Sequence, residues 1–278
     1  MSNGFRCRLA RELTGDGDRA LDRETGVLHL LKRHLVPISA HFDQVLVLTY
    51  AFPRDLLAPL LPSGLEVDGY GEYGFLAVAT VQTRALRPSF LPRALGRDFF
   101  LAGYRIFARL KTANGQVLRG LKILRSDTDL ASMVTWGNLL THYGYRRAQV
   151  ICTTADGFLT ISVRTPDAAA DLEVVADLRH VPAPLPEGSP FPDIATARKF
   201  AGPLPHTFDY ERESHSMLVV RGLRQEWHPQ PVTVDVRRNT FVESAPFNEA
   251  KALLANAFYI KDVPYKWERG WREALPKS

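Results

Sequence analysis

Two adjacent arginines, Arg146 and Arg147, stand where a ligand could be bound, after a segment with helical spacing and before a predicted strand. A guanidinium group stays charged and presents five fixed donors, so an arginine that lines a cavity can hold a carboxylate or a phosphate. Successive strand residues point to opposite faces, so we expect at most one of the two to face inward. The alternative, which these residues alone favour, is a solvent-exposed corner between helix and strand.

A few other side chains could complete such a site. Tyr104, Asn138 and His142 are candidate polar wall groups in a cavity that is otherwise apolar. His142 is the best candidate for a proton carrier, because the ordinary pKa of an imidazole lies near neutrality. Trp227, which stands between a carboxylate and an imidazole in the sequence, could close the pocket or could simply pack in the core.

Other patterns are weak candidates for a cofactor or catalytic site. Residues 69–74 spell Gly-x-Gly-x-x-Gly, but a strand-like run follows where a dinucleotide site needs a helix, so we interpret the motif as a turn. Ser214 and His215 follow Asp209, but no nucleophile elbow of the Gly-x-Ser-x-Gly type is present. The eight histidines show no metal-ligand spacing. We therefore expect neither a metal nor a cofactor.

The composition is that of an ordinary globular protein, with 45% hydrophobic and 23% charged residues in a chain of 278. The 35 basic residues exceed the 30 acidic ones by five, and the two signs are interleaved along the chain, which does not favour a nucleic-acid partner. Only eight of the 35 basic residues are lysines, so 27 are arginines. Amine chemistry therefore has few candidates.

The sequence shows no signal for export or for a membrane. Arginines 6, 8 and 11 are not followed by an apolar segment, and no apolar run approaches the roughly 18 residues that a spanning helix needs. Cys7 and Cys152 are too few and too distant to indicate a disulfide framework. We therefore expect a cytoplasmic location and no membrane partner.

The hydrophobic pattern predicts a chain made mainly of antiparallel strands. Asn114-Gly115 and Asp156-Gly157 are tight-turn signals, and each indicates a hairpin. The predicted strands are Gln44–Phe52, Gly74–Val81, Gly103–Lys111, Val117–Leu124, Gln149–Thr153, Phe158–Arg164, Leu172–Leu178, His215–Arg221 and Pro231–Val236. Helices are predicted near residues 54–61, 129–140 and 249–258, and a proline-rich surface loop over 183–206. The fold class is thus α+β with one large sheet or barrel.

Four segments together resemble the acetoacetate decarboxylase-like superfamily, and within it the uncharacterised YqjF-type (DUF2071) group. Val45–Val67 is similar to the family's opening strand, short helix and Leu-Pro-x-x-Leu-Glu turn. Leu95–Leu110 resembles a loop that leads into a barrel strand, and Tyr143–Arg147 a helix-to-strand corner. Glu226–Val263 is similar to the closing strand and final helix. The order and spacing of these segments are more specific than any one of them.

The resemblance implies a conical antiparallel β-barrel with a deep interior cavity and few peripheral helices. It also implies a homo-oligomer. We expect residues 1–38 to form an N-terminal helix or arm and residues 39–278 to form the barrel domain.

The chain departs from the family at the residues that carry its reaction. The family's decarboxylases use a Schiff-base lysine beside a second lysine, and this pair falls at Arg146 and Arg147. A guanidinium remains protonated and cannot form the imine. The family's acidic residue falls near Leu101, its first arginine near Asp43, and its helical Gly-Arg-Glu at residues 137–139. These losses argue against acetoacetate decarboxylation.

Three functions remain open at this point. The first is a barrel that binds a small organic anion such as a keto acid, with Arg146 or Arg147 as the carboxylate clamp. The second is a lyase with a relocated Schiff base on Lys122, which has apolar neighbours in a predicted strand, although a strand lysine is more often exposed. The third is a non-catalytic structural or interaction protein that retained the barrel.

Overall fold

The structure is a computed structural model that describes residues 28–224 and 227–275. The predicted N-terminal arm therefore falls largely outside the described residues, except for a 3₁₀ turn at Leu28–Arg33. No helix in the described part of the chain is long and apolar enough to cross a membrane.

Strands dominate the chain, and short helices connect them. The strands are β1 (Ile38–Pro53), β2 (Leu65–Val67), β3 (Gly69–Tyr70), β4 (Tyr73–Pro88), β5 (Arg97–Lys111), β6 (Val117–Thr128), β7 (Tyr145–Arg147), β8 (Gln149–Ala155), β9 (Phe158–Arg164), β10 (Leu172–Asp177), β11 (His206–Glu211), β12 (Ser216–Arg224), β13 (Gln230–Pro231), β14 (Thr233–Asn239), β15 (Leu253–Trp267) and β16 (Trp271–Ala274). The α-helices are α1 (Arg54–Leu57), α2 (Ala131–Leu140), α3 (Ile194–Ala201) and α4 (Thr240–Glu243). Further 3₁₀ turns lie at Ala58–Leu60, Arg93–Leu95 and Phe247–Glu249.

The large sheet closes on itself. Hydrogen bonds run from β1 through β4, β5, β6, β11 and β12, and β15 pairs with both β12 and β1. We call this closed set of strands the ring. Its pairs are antiparallel except for β6 with β11, and β7 adds to β6 in parallel outside the closed path. The mainly antiparallel α+β fold expected from the sequence is confirmed.

A second sheet, in the order β14-β10-β9-β8, packs against one side of the ring. As a result, β5 is buried on both faces. Its even-numbered residues, such as Tyr104 and Ile106, pack with the second sheet, whereas Leu101 and Phe107 belong to the cluster inside the ring. This double burial explains the near-continuous apolar run of β5, which is common in strands covered on both sides.

Glycine supplies the tight turns that the sequence predicted. Gly115 has a φ of +84° between β5 and β6, and Gly157 has a φ of +78° between β8 and β9. Both hairpins are confirmed. The glycine motif at 69–74 forms the β3–β4 hairpin and not a phosphate loop, as expected.

Two predictions about local structure are wrong. The segment 249–258 was predicted to be helical, but most of it belongs to β15, which pairs with β1 over its length. A short apolar run that is buried on both faces carries no helical or strand period that could separate the two. The segment 183–206 is not only loop, because it contains α3, whose N-cap Asp193 accepts a hydrogen bond from the Thr196 amide.

Candidate functional site

The ring encloses a cavity of about 640 Å³. Its wall consists mainly of apolar side chains from β1, β4, β5, β6 and β15, while α2 and the residues that follow α3 contribute further lining. Typical lining residues are Val45, Val47, Ala79, Phe107 and Phe258. A cavity of this size and character is typical of a small-molecule site, in which a few polar groups fix the orientation of the ligand.

Arg105 places a cation in this apolar wall. Its side chain is half-buried, its Nε is shielded from solvent and has no hydrogen-bond partner among the described residues, and no carboxylate among them pairs with it. Burial lowers the pKa of the guanidinium, because water no longer stabilises the charge. The guanidinium lies back along β5 over Gly103, where a Cβ would come within 2.8 Å of Nη2.

Three tyrosines surround this cation closely enough to affect its pKa: Tyr143, Tyr145 and Tyr265. Burial raises the pKa of each of their hydroxyls, in the case of Tyr145 to about 12. They therefore remain protonated at neutral pH and can donate hydrogen bonds. The Tyr143 hydroxyl is buried and has no partner among the described residues.

A second cation, the half-buried Arg224, lies near the first. Both guanidinium groups lie beside Tyr265, whose pKa they influence. The Arg224 guanidinium also lies over the ring of Trp227, at 4.8 Å from the ring centre, and its Nη2 donates to the Pro203 carbonyl at 3.3 Å. Trp227 lines the cavity too, and its buried Nε1 has no partner among the described residues. Two cations of the cavity wall thus lie beside Tyr265.

His34 lines another part of the wall. Its ring lies 5.3 Å from that of Tyr143, and its buried Nε2 has no hydrogen-bond partner among the described residues. Burial lowers the pKa of His34 to about 4, so the imidazole is neutral at pH 7. It therefore adds no positive charge to the cavity under ordinary conditions.

The cavity opens beside apolar side chains that reach the surface. Leu35, Val36, Trp136 and Leu140 line it and are between 39% and 59% exposed. Two further arginines, 87 and 97, lie among the lining residues. We call these six residues the rim.

The predicted arginine clamp does not lie in the cavity. Arg146 and Arg147 are both exposed, and neither is among the lining residues. Arg146 pairs instead with Asp167, at 3.4 Å. Tyr145, one residue earlier in β7, is the side chain that faces the cavity, and the alternation of the strand turns Arg146 outward. The cations beside Tyr265 in the cavity wall are Arg105 and Arg224, and neither was predicted as a binding residue.

Two predicted wall groups have structural contacts elsewhere. Tyr104 lies on the opposite face of β5 from Arg105, where its hydroxyl donates to the Ala170 carbonyl at 2.9 Å. Asn138 donates from Nδ2 to the Tyr145 carbonyl and accepts from the Tyr145 amide, at 2.9 and 2.7 Å. Asn138 thereby attaches α2 to β7 and positions Tyr145 without lining the cavity.

The two predicted catalytic residues also lie outside the cavity lining. Lys122 forms an ion pair with Asp209, with Nζ 2.8 Å from Oδ1, and its side chain is 12% exposed. The His142 imidazole is buried, its Nε2 has no partner among the described residues, and burial lowers its pKa. Trp227 is the one predicted binding residue that lines the cavity, while its neighbour Glu226 lies outside the described residues.

The described part of the cavity wall contains no lysine. Within the described ranges there is also no cluster of three or more His, Cys, Asp or Glu residues with the geometry of a metal site. The chemistry of the described wall is therefore that of arginine, tyrosine and tryptophan donors in apolar surroundings.

Arg105 could have been found in the sequence. It stands in the run Phe-Leu-Ala-Gly-Tyr-Arg-Ile-Phe-Ala, where every neighbour is apolar, aromatic or glycine. A charged residue in a strand that is otherwise apolar on both faces must be buried with it, which is costly without a function. A glycine two residues earlier, on the same face, leaves room for the guanidinium.

Comparison with known proteins agrees with this fold. The family DUF2071, described as an uncharacterized conserved protein, matches residues 39–263. No curated protein is significantly similar to the chain in sequence.

Several solved structures share the fold at low sequence identity. The acetoacetate decarboxylase of Legionella pneumophila has a TM-score of 0.57 at 12% identity, over 86% of this chain and 87% of that one. The enduracididine biosynthesis enzyme MppR, complexed with pyruvate, has a TM-score of 0.55 at 11% identity, over 85% of this chain and 90% of that one. An acetoacetate decarboxylase-like enzyme from Sphingomonas wittichii has a TM-score of 0.53 at 14% identity, over 87% of this chain and 94% of that one.

Proposed function

The chain belongs to the DUF2071 family and has the acetoacetate decarboxylase-like fold, and we propose that it binds an organic carboxylate inside the ring, with Arg105 as the group that holds the anion. One observation carries this proposal. A half-buried guanidinium in a mainly apolar cavity has a shielded Nε without a hydrogen-bond partner and no carboxylate partner among the described residues.

The cost of this arrangement favours an anionic ligand. A cation that is removed from water without a partner is strongly destabilising, and a bound anion would offset much of that cost. The hydrogen-bonding atoms around Arg105 point the same way, since the Tyr143 hydroxyl and the Trp227 indole nitrogen lack partners and both can donate. A ligand oxygen that accepts hydrogen bonds would satisfy them.

A carboxylate fits these donors well. A guanidinium presents two parallel N–H groups that match the two oxygens of a carboxylate. Among proteins with this fold, the MppR structure is complexed with pyruvate, which is itself a carboxylate.

The proposed site does not use a Schiff base. The described wall offers no lysine, and the resemblance puts arginines where the family's decarboxylases have their lysine pair. Lys122 lies outside the described lining, in an ion pair with Asp209. We therefore propose that binding, and not imine-dependent decarboxylation, is the role of this cavity.

We keep two further parts of the sequence prediction as proposals. The resemblance implies a homo-oligomer, which light scattering coupled to size-exclusion chromatography would measure directly. The sequence also divides the chain into an N-terminal helix or arm, residues 1–38, and a barrel domain, residues 39–278, and limited proteolysis would test that boundary.

A comparison of charged and neutral ligands tests the proposed function. Isothermal titration calorimetry would measure the affinity of butanoate, hexanoate and decanoate, each against the alcohol of the same length. We expect the wild type to prefer each acid by about tenfold or more, which is the worth of a charge-assisted hydrogen bond. Arg105→Met, which keeps the length and removes the charge, should abolish this preference.

The double variant Arg146→Ala/Arg147→Ala is the matched control, because it removes two arginines outside the cavity. It should keep the preference for the acid within about twofold of wild type, since exposed charges contribute little. A preference that survives in Arg105→Met, or that disappears in the double variant, would overturn the assignment of the anion to Arg105.

A further inference from the structure

We infer that the ligand is an amphiphilic monocarboxylate with a large apolar body, and not a short keto acid. This inference rests on the proposed function and specifies the class of carboxylate. The observations behind it are the volume of the cavity, the position of its polar groups and the apolar character of the rim.

The cavity is much larger than a short acid needs. A volume of about 640 Å³ lies in the range of sites that enclose drug-sized molecules. A three- or four-carbon acid would occupy only a small part of it, and the rest would remain as apolar void or poorly bonded water. An apolar cavity is filled more favourably by hydrocarbon, since each buried methylene adds to the affinity.

Few charged groups stand in a large apolar lining. Arg105 and Arg224 both lie beside Tyr265, and Tyr143 and Trp227 present buried donors without partners among the described residues in the same lining. Most of the other lining residues are apolar, such as Val45, Val81 and Leu86. A small charged region in a large apolar cavity matches a molecule that has a single charged group and a long apolar body.

The rim continues this pattern to the surface. Trp136 is 59% exposed and Leu140 is 44% exposed, although both belong to the cavity lining. A short hydrophilic acid gains nothing from such an entrance, whereas a hydrocarbon chain does. Arg97 is exposed on the same rim and adds a positive charge that attracts an anion toward it.

A series of straight-chain acids tests this inference on the wild-type protein. Affinity measured by calorimetry should rise about fourfold with each added methylene from butanoate upward, until the chain fills the cavity. Pyruvate and acetoacetate should bind more weakly than decanoate by at least about a hundredfold on the same scale. Unchanged affinity along the series, or pyruvate binding as tightly as decanoate, would overturn the inference.

A variant that narrows the cavity beyond the Arg105 guanidinium distinguishes the effect of chain length from that of charge. Val81→Phe adds volume to the described wall two positions along β4 from Ala79, which pairs with Gly103 beneath that guanidinium, and should weaken decanoate by about tenfold or more while butanoate changes by less than about twofold. A thermal melt of the variant establishes that it is folded. Equal weakening of both acids would contradict the inference.

Failure of the inference is distinguishable from failure of the proposed function. If affinity is flat with chain length but the acid is still preferred over the alcohol only when Arg105 is present, the carboxylate site stands and the ligand is short. If the acids bind no more tightly than the alcohols of the same length, and Arg105→Met leaves the affinity for the acids unchanged, the proposed function itself fails.

Discussion

The guanidinium of Arg105 lies across Gly103 on the same face of β5, so that a Cβ at position 103 would come within 2.8 Å of Nη2 and 3.0 Å of Nε. The two residues are separated by one position, and strand alternation places both toward the cavity. The glycine thereby gives a long charged side chain room to lie flat against the wall. This arrangement determines where the positive charge stands inside the ring.

Gly103→Ala should displace the guanidinium without unfolding the protein. The added Cβ meets the far end of a flexible side chain and not backbone, so the side chain can move aside. We expect decanoate affinity to fall about tenfold, the equivalent of one charge-assisted hydrogen bond, while the affinity for decanol is unchanged. Calorimetry checks this, and an unchanged affinity for the acid would show that the pose over Gly103 is not the binding pose.

Arg105→Met should make the unliganded protein more stable. The substitution replaces a half-buried cation that has no carboxylate partner among the described residues with an apolar side chain of similar length, and removing that desolvation cost should stabilise the protein by about 1–3 kcal/mol. Urea unfolding measures the free energy of unfolding of both proteins. Arg109→Met, on the same strand but exposed and paired with Glu66, is the control and should change stability by less than about 1 kcal/mol. A large loss of stability in Arg105→Met would indicate a structural role for the charge.

Lys122 should not form an imine with keto acids. Its ammonium group is held 2.8 Å from Asp209 and lies outside the described cavity lining, so it is directed away from a ligand bound there. Treatment with pyruvate or acetoacetate and borohydride, followed by mass spectrometry, should give no adduct on this residue. An adduct at Lys122 that disappears in Lys122→Met would revive the relocated Schiff base as the function of this chain.

His34 should make the protein less stable as the pH falls below about 6.5. Its pKa is about 4 in the folded state, so between these values the unfolded chain binds a proton that the folded chain does not. The contribution of His34 to the free energy of unfolding is therefore fully present above the unfolded pKa. About 2 kcal/mol of it is lost between pH 7 and pH 5. His34→Asn keeps a residue that tolerates the positive φ of 49° and should lose correspondingly less.

Urea unfolding at pH 7 and pH 5 measures this difference. His142→Asn should also lose less stability between pH 7 and pH 5 than the wild type, because burial lowers the pKa of His142 as well. If wild type and His34→Asn lose the same stability between the two pH values, then His34 accepts a proton in the folded protein and its surroundings are more polar than the cavity wall indicates.

Much of the fold could be predicted from sequence because its signals are local. The turn at Gly115 and the strand Phe158–Arg164 follow from backbone preferences and alternation that any short window contains. The segment 249–258 could not be assigned in this way, since its apolar residues are buried on both faces of β15 and carry no period.

The site was harder to predict than the fold. Tyr104 and Arg105 are adjacent in β5, and which of them faces the cavity depends on whether the second sheet covers the even or the odd face. A shift of one residue exchanges the two faces, so the apolar run marks Arg105 as a charge within a covered strand but does not show that it faces the cavity. Arg146 and Arg147 drew attention as two adjacent guanidinium groups between a helix and a strand, whereas the cations beside Tyr265 in the cavity, Arg105 and Arg224, come from other strands.

A crystal structure of the complex with a long-chain acid brominated at its far end tests the central claim most directly. We expect the carboxylate within 4 Å of the Arg105 guanidinium and the anomalous bromine peak inside the ring, among the apolar residues of β1 and β4. A carboxylate bound at Arg146 or Arg147, or a cavity without bromine, would contradict the account.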